Sequence, residues 1–288
     1  MRSDEASGRV LMLGTGTLKP GPRRYGAGVL LEIGGLKLLL DCGPSIVQKL
    51  FSAGIDATEL DAVFLSHFHV DHTSDLPDLI SSLAADKLGY PRRPERPLTL
   101  IGPPGLVQFL ETVLDRNPYY SYVGEWNRAL RLVEPVEIGD KKELRIGDAV
   151  LRFAEVDHPN GYAVRVNIGD LSVTYSGDTA PTTSLVELAS GTDLLIHECT
   201  FPSEALMGKH SSEKGLAEVA SRAAPKQLVV THLSPAWTGR EHEIVAALRP
   251  SFKGRVIIAH DLLEIRVRPR LATEATPPPS SRAFHQLR

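Results

Sequence analysis

Cysteine is almost absent from this 288-residue chain, with Cys42 and Cys199 the only two. Two thiols cannot build a disulfide framework, and both lie in apolar, strand-like segments where a buried thiol acts as a small hydrophobe. A reducing compartment is expected. The chain also lacks any run of about 18 uninterrupted apolar residues, so the sequence offers no membrane-spanning helix. Its opening, MRSDEASGRV, has no apolar core of a secretory signal. These absences together predict a cytoplasmic protein with no membrane partner. Charge of one sign is missing as well. A formal net charge of -3 and a pI near 6.4 give no general pull toward nucleic acid or an anionic bilayer, although a local basic patch stays compatible with them. What remains is ordinary globular composition: 42% hydrophobic and 23% charged residues exclude a disordered or fibrous chain.

Short apolar runs bounded by Gly, Pro or Asp recur along the sequence. Val10–Leu13, Gly28–Ile33, Leu36–Leu40, Ala62–Leu65 and Leu98–Ile101 read as strands. Ile46–Ala53, Leu76–Ala84 and Val107–Leu114 place apolar residues three and four apart and read as helices. The second half repeats the style. Strands are expected at Leu144–Ile146, Val150–Val156, Ala163–Ile168, Leu171–Tyr175, Leu194–His197, Leu228–Thr231 and Val256–Ala259. Helices are expected at Thr183–Leu188, Glu213–Ala223 and Glu241–Leu248. A strand-rich core flanked by helices follows, and two sheets sandwiched between helices satisfy it. No fixed-period repeat or internal linker appears, which predicts one domain over residues 9–268 after a flexible start at 1–8. The run Pro277–Ser281 marks residues 269–288 as a flexible tail.

His67, His69, Asp71 and His72 fall within six residues, HFHVDH, directly after the strand Ala62–Leu65. Imidazoles and a carboxylate crowded at a strand exit suit a borderline metal such as zinc, which takes nitrogen and oxygen ligands. Three later residues stand at other strand ends: His158 after Val150–Val156, Asp178 in Tyr175-Ser176-Gly177-Asp178, and His232 in Val230-Thr231-His232. Strand ends are where layered α/β proteins place functional groups. Asp178 also fits a turn beside Gly177, and His158 a loop ahead of Pro159. Taken together, the seven suffice for two metals, with Asp178 as the natural carboxylate bridge.

HFHVDH, the isolated His158, SGDT at 176–179 and VTH at 230–232 occur in the order of the metallo-β-lactamase superfamily, which this chain resembles over residues 9–265. Leu13-Gly14-Thr15-Gly16, Leu39-Leu40-Asp41-Cys42-Gly43 and Leu195-Ile196-His197-Glu198-Cys199-Thr200-Phe201 are similar to segments of ribonuclease Z. The resemblance implies an αββα four-layer sandwich. It implies that His67, His69 and His158 hold one zinc, that Asp71, His72 and His232 hold the second, and that Asp178 bridges them; manganese or iron(II) would suit the same ligands. It further implies that His210, in Lys209-His210-Ser211-Ser212, matches a ribonuclease Z histidine that assists the leaving group. A pair of zinc ions lowers the pKa of a shared water toward neutrality, which makes it a nucleophile toward phosphorus or carbonyl carbon. Asp71 would then orient that water or accept its proton, and His210 would protonate the departing oxygen. His197 and His260, with Glu198 and Asp261, read equally well as supports for the ligands and as packed residues. A homodimer is a family expectation only.

The resemblance also marks a departure. Ribonuclease Z proteins that process transfer RNA carry a long flexible arm, and in short bacterial forms it lies between the equivalents of His158 and Asp178. Here residues 159–177 leave room for one hairpin, Gly161–Tyr175. Cyclic phosphodiesterases of the carbon-phosphorus pathway resemble this compact form but add a cysteine-rich zinc site that two cysteines cannot supply. The expected function is therefore hydrolysis of a small or cyclic phosphodiester. Lactone or carboxylic ester hydrolysis, transfer RNA 3′-processing and a non-enzymatic metal-binding sensor are the rivals. Arg92, Arg93 and Arg96 fall near the expected mouth, where they could grip phosphate or simply form a solvated loop. The aromatic run Tyr119-Tyr120-Ser121-Tyr122 fits a pocket wall or plain packing.

Overall fold

Most of the predicted strands are apolar at successive positions, which a strand tolerates only when both of its faces are covered. The computed structural model, which describes residues 8–268, supplies both covers. One seven-stranded sheet has the order β14-β1-β2-β3-β4-β5-β6 and the other β13-β12-β11-β10-β9-β8-β7. In the first, β1 is Gly8–Gly14, β2 Gly28–Ile33, β3 Leu36–Leu40, β4 Ala62–Phe64, β5 Leu98–Gly102, β6 Val133–Glu137 and β14 Leu263–Val267. In the second, β7 is Glu143–Ile146, β8 Ala149–Glu155, β9 Tyr162–Ile168, β10 Leu171–Tyr175, β11 Leu194–Glu198, β12 Gln227–Thr231 and β13 Arg255–Ile258.

Because successive side chains alternate faces, each strand feeds two cores. Val10, Met12, Leu31, Leu38, Leu40 and Phe64 meet Leu151, Phe153, Val164, Val166, Val173 and Ile196 between the sheets. On the outer face of the first sheet, Leu11, Leu13, Leu30, Leu39 and Val63 pack under α1 (Ile46–Ser52), α3 (Leu76–Ser82), α4 (Leu106–Leu110) and α5 (Ser121–Leu130). On the outer face of the second, Leu195, Leu228 and Val230 pack under α6 (Thr183–Leu188), α7 (Glu213–Ala223) and α8 (Glu241–Leu248). This is the expected four-layer sandwich. Among the described residues no helix is long and apolar enough to cross a membrane. The tail at 269–288 and most of the N-terminal segment lie outside the described residues.

The run β3-β4-β5-β6 is parallel, as is β10-β11-β12-β13. Parallel neighbours end on the same edge, and β8, two antiparallel steps from β10 through β9, runs the same way, so the loops after β8, β10 and β12 gather at one edge of their sheet, and that after β4 joins them. That edge carries the candidate ligands.

Several elements escape the sequence reading, each for a local reason. Helix α2 (Val70–Thr73) is one turn and shows no periodicity. Val107–Leu114 is broken into α4 and a π-helical turn, Glu111–Asp115. Gly124 weakens the helical signal of α5, yet a Cβ there would overlap the Asp115 carboxylate. Strand β6 contains Pro135, which is tolerated because β6 is an edge of its sheet. Strand β14 is half exposed, its charged Glu264 and Arg266 alternating with buried Ile265 and Val267.

Candidate metal centre

The first ligand loop is held by buried contacts rather than by regular structure. Past β4, the Ser66 amide donates to Asp41 Oδ1 at 2.7 Å, which turns the chain outward. Phe68 points away from the neighbouring His67 and His69 and stacks on Phe109, with ring centroids 4.7 Å apart. Helix α2 then presents Asp71 and His72. The Asp71 carbonyl accepts from the Ala27 amide at 2.9 Å, and it lies against Gly43 so closely that any Cβ there would overlap it. The other loops are similarly constrained. Asp178 follows Gly177, whose φ of 57° suits glycine and whose missing Cβ leaves room for Ser66. His232 itself takes a left-handed φ of 56°, as does Asp41 at 61°. Such conformations in non-glycine residues gather at functional sites, because the surrounding structure must hold them.

All seven predicted ligands come together. Donor atoms of His67, His69, His158 and Asp178 lie within 4.8 Å of one another, as do those of Asp71, His72 and His232. Asp178 stands between the two groups. Its Oδ2 is 3.8 Å from His67 Nε2 and 3.5 Å from His72 Nε2, while Oδ1 is 3.4 Å from His232 Nδ1.

The chemistry of this donor set fits divalent cations. His72 Nε2 faces His232 Nε2 at 3.1 Å, and His158 Nε2 faces His69 Nδ1 at 3.2 Å. Two imidazole lone pairs aimed at one another repel unless a proton or a metal intervenes. His67 Nε2 and Asp178 Oδ1 are buried without any hydrogen-bond partner, an arrangement that is rare unless something binds there. Burial pushes His67 and His158 well toward the neutral form a ligand needs. Burial opposes charge on Asp178 too, yet His232, His72 and His67 hold its carboxyl well below the usual range. The same competition at His72 ends the other way: Asp178 and Asp41 overcome burial and make the ring unusually basic. Nitrogen and oxygen donors in this number suit zinc and its neighbours.

Behind the donors lies a set of groups that fix the rings of His67, His72, His158 and His232. Asp41 is fully buried and accepts from His72 Nδ1 at 2.8 Å, Ser66 Oγ at 2.8 Å and Tyr175 Oη at 2.7 Å. His67 Nδ1 meets Ser66 Oγ at 3.0 Å, His232 Nδ1 meets Thr200 Oγ1 at 2.9 Å, and His158 Nδ1 donates to the Lys209 carbonyl at 2.9 Å. Ligating imidazoles ordinarily have their second nitrogen tied in this way, which settles tautomer and orientation. Sequence reasoning finds no role for Asp41, Ser66, Tyr175 or Thr200. Its one available signal is an acidic residue closing the apolar run Leu38–Leu40.

His210 enters the same edge from the loop before α7. Its Nδ1 lies 3.0 Å from Glu198 Oε1, and Glu198 is buried, also accepting from the Thr179, Thr200 and Ser211 amides at 2.7, 3.0 and 3.2 Å. Burial disfavours the imidazolium, but Glu198 outweighs it and raises the His210 pKa. The other candidates fall elsewhere. His197 is buried, with Nδ1 donating to the Glu198 carbonyl, and it touches none of the seven. His260 is exposed, and its ring bonds to the Asp261 carbonyl. Asp261 supports a loop rather than a ligand, accepting from Thr15 N, Thr15 Oγ1, Tyr25 N and Lys49 Nζ. The arginine loop is not at the mouth: Arg96 pairs with Asp61, which precedes β4, whereas the ligands follow it. The Tyr119–Tyr122 run is exposed on the first sheet's helical layer and lines no part of the cavity over the ligands.

Clustered imidazoles and carboxylates with tied rear nitrogens, set where two sheets end together, define a metal-dependent hydrolase. Residues 37–233 match the model of the beta-lactamase superfamily domain, a span that contains all seven candidate ligands and His210. Proteins named ribonuclease Z from Mycobacterium bovis and Mycobacterium marinum are each 32% identical, over 91% of this chain and 99% of their own length. Crystal structures show the same fold. The metallo-beta-lactamase fold protein YhfI from Bacillus subtilis superposes with a TM-score of 0.74 at 24% identity, covering 91% of this chain and 100% of its own. Human tRNase Z, short form, does so with a TM-score of 0.68 at 22% identity, covering 89% and 98%. The chain belongs to the beta-lactamase superfamily, in its ribonuclease Z-like branch.

Proposed function

We propose that this protein is a dinuclear zinc phosphodiesterase acting on small or cyclic phosphodiesters. The observation that carries the reading is the cavity of about 830 Å³ whose floor includes His69, Asp71, Asp178, His210 and His232. That space suits a small molecule. Between β9 and β10 only Gly169 and Asp170 intervene, so this hairpin carries no arm for gripping a long nucleic acid.

In this reading His67, His69 and His158 hold one zinc, Asp71, His72 and His232 the other, and Asp178 lies between. Such a pair, when bound, supplies Lewis acidity to the phosphoryl oxygens and a water that deprotonates near neutral pH. The chain's own groups do the rest. Asp71 Oδ2, 3.3 Å from His232 Nε2, stands at the cavity floor where it orients the attacking water or takes its proton. His210, whose pKa Glu198 raises against burial, delivers its proton to the departing oxygen. Glu198 also receives Thr200 Oγ1, which steadies His232, so one buried carboxylate positions both the proton donor and a metal ligand.

A second reading has its own observation in its favour: relatives bearing the name ribonuclease Z align over nearly their whole length. A single panel separates the two. Zinc-loaded protein is expected to contain about two zinc per chain and to hydrolyse bis(p-nitrophenyl) phosphate and 2′,3′-cyclic nucleotides. Cleavage of precursor transfer RNA with far greater kcat/KM would replace the small-substrate reading. Rapid opening of lactones without any phosphodiester cleavage would defeat both.

A further inference from the structure

The walls of the cavity differ from its floor. Leu18, Val70, Phe201, Met207 and Pro235 surround the polar base, and apart from His210 on the floor, Lys19 is the only cationic side chain among the described residues that line it. Leu18 is 69% exposed and Met207 65%, a high proportion for large apolar groups at an active-site rim. Adjacent apolar side chains left in water mark a surface that something covers. The neighbouring cation, Lys209, is engaged by Asp157 at 2.7 Å. A polyanion would need several free cations here, whereas this rim can neutralise one further negative charge.

Position within the wall adds direction. The Phe201 ring lies edge-on to His210, with centroids 5.9 Å apart, and Met207 precedes His210 by three residues in the same loop. A group that approaches His210 through this cavity therefore passes the Phe201 ring, on a wall to which Met207 also contributes. Resting on the phosphodiesterase reading above, we infer that the leaving group of the substrate is apolar and bulky, an aryl alcohol or an alkyl alcohol of similar size, seated against Phe201 and Met207. Hydrolysis balances simply: water adds its oxygen to phosphorus, the P–O bond to the leaving group breaks, and the released oxygen takes the His210 proton. The products are a phosphate monoester and an apolar alcohol.

The test compares two leaving groups in one variant, so that their different chemical reactivities cancel. Wild-type and Met207→Ser proteins, zinc-loaded, are assayed with bis(p-nitrophenyl) phosphate, whose leaving group is aromatic, and with 2′,3′-cyclic AMP, whose leaving group is a sugar hydroxyl. The ratio of their kcat/KM values is expected to fall about tenfold in the variant, the factor that follows from losing roughly half the buried surface of a methionine. An unchanged ratio overturns the inference. A binding measurement guards against the failure of the parent reading. Calorimetric titration of the wild type should show phenyl phosphate and hexyl phosphate binding more tightly than methyl phosphate, with the difference reduced in Met207→Ser. If phenyl binds and hexyl does not, the wall is specific for aromatic groups; if neither exceeds methyl, the apolar leaving-group site is wrong, whether or not the protein hydrolyses diesters.

Discussion

Replacing Asp41 with Asn changes one atom type in a buried position and should cost the protein a metal. Oδ1 accepts from the Ser66 amide, a role an amide oxygen keeps. Oδ2 faces three donors, and its replacement by an NH2 group faces them with hydrogens. The hydroxyls of Ser66 and Tyr175 can rotate and become acceptors, but His72 cannot. To accept at Nδ1, the ring must carry its hydrogen on Nε2, the atom 3.1 Å from His232 Nε2 and 3.8 Å from Asp71 Oδ2. A protonated Nε2 is no longer a ligand. Removing such an orienting group ordinarily lowers metal affinity by about 10- to 100-fold, equivalent to about 1.4–2.8 kcal/mol. The loss should fall first on the ion beside His72, because His158 is tied independently through the Lys209 carbonyl, whereas His67 is affected only indirectly, through the Ser66 hydroxyl that Asp41 holds. Competition against a chromogenic zinc chelator, with circular dichroism to confirm folding, measures it. Should folded Asp41→Asn retain two zinc ions at wild-type affinity, the assignment of Asp41 and of His72 as a ligand is refuted.

Three further outcomes are expected. His210→Ala should lower kcat by about 10²- to 10⁴-fold while leaving zinc content unchanged, whereas His69→Ala should lose zinc; full turnover in the first variant removes His210 from the mechanism. Phe64→Ala should destabilise the protein by about 3–5 kcal/mol, since the ring is fully buried between the sheets and stacks on Phe153 at 5.8 Å; a denaturation midpoint within error of wild type would contradict the packing. Lys37 and Lys87 hold the Glu59 carboxyl down to about 2 from 4.5. A depressed pKa stabilises the fold above the unfolded value and loses that effect as pH falls toward the folded one. The gap between wild type and Glu59→Gln, under about 1 kcal/mol for a pair this exposed, should therefore be constant near neutrality and narrow below pH 4.5; a gap that widens on acidification is the contrary result.

The candidate ligands could be picked from the sequence because several are polar residues that follow a strand-like run: His67 after Ala62–Leu65, Asp178 after Leu171–Tyr175, His232 after Leu228–Thr231. Pattern alone cannot say which runs end on the same edge, and the order of motifs supplied that. The groups behind the ligands were hidden for a different reason. Ser66, Tyr175 and Thr200 are ordinary residues whose roles depend on pairing across strands distant in sequence, Tyr175 reaching Asp41 from the other sheet. The arginine loop was misplaced because Arg92, Arg93 and Arg96 follow α3, which leads the chain away from the ligand edge and back to the start of β5. Sequence proximity to the first ligand loop says nothing about which end of a strand a later loop occupies.

The first sheet is finished by the last strand. β14 pairs with β1, Gly8 opposite Val267, and among the described residues no earlier element covers that edge of β1. During synthesis on a ribosome, which proceeds from the N-terminus, β1 must wait as an open edge until nearly the whole described chain has emerged. The ligand set completes earlier, at His232, so a nascent chain can own every donor while its first sheet still lacks a border. Truncation just before Leu263 would freeze that stage. Such a chain would keep its metal-binding residues and gain an unpaired strand edge open to association with other chains.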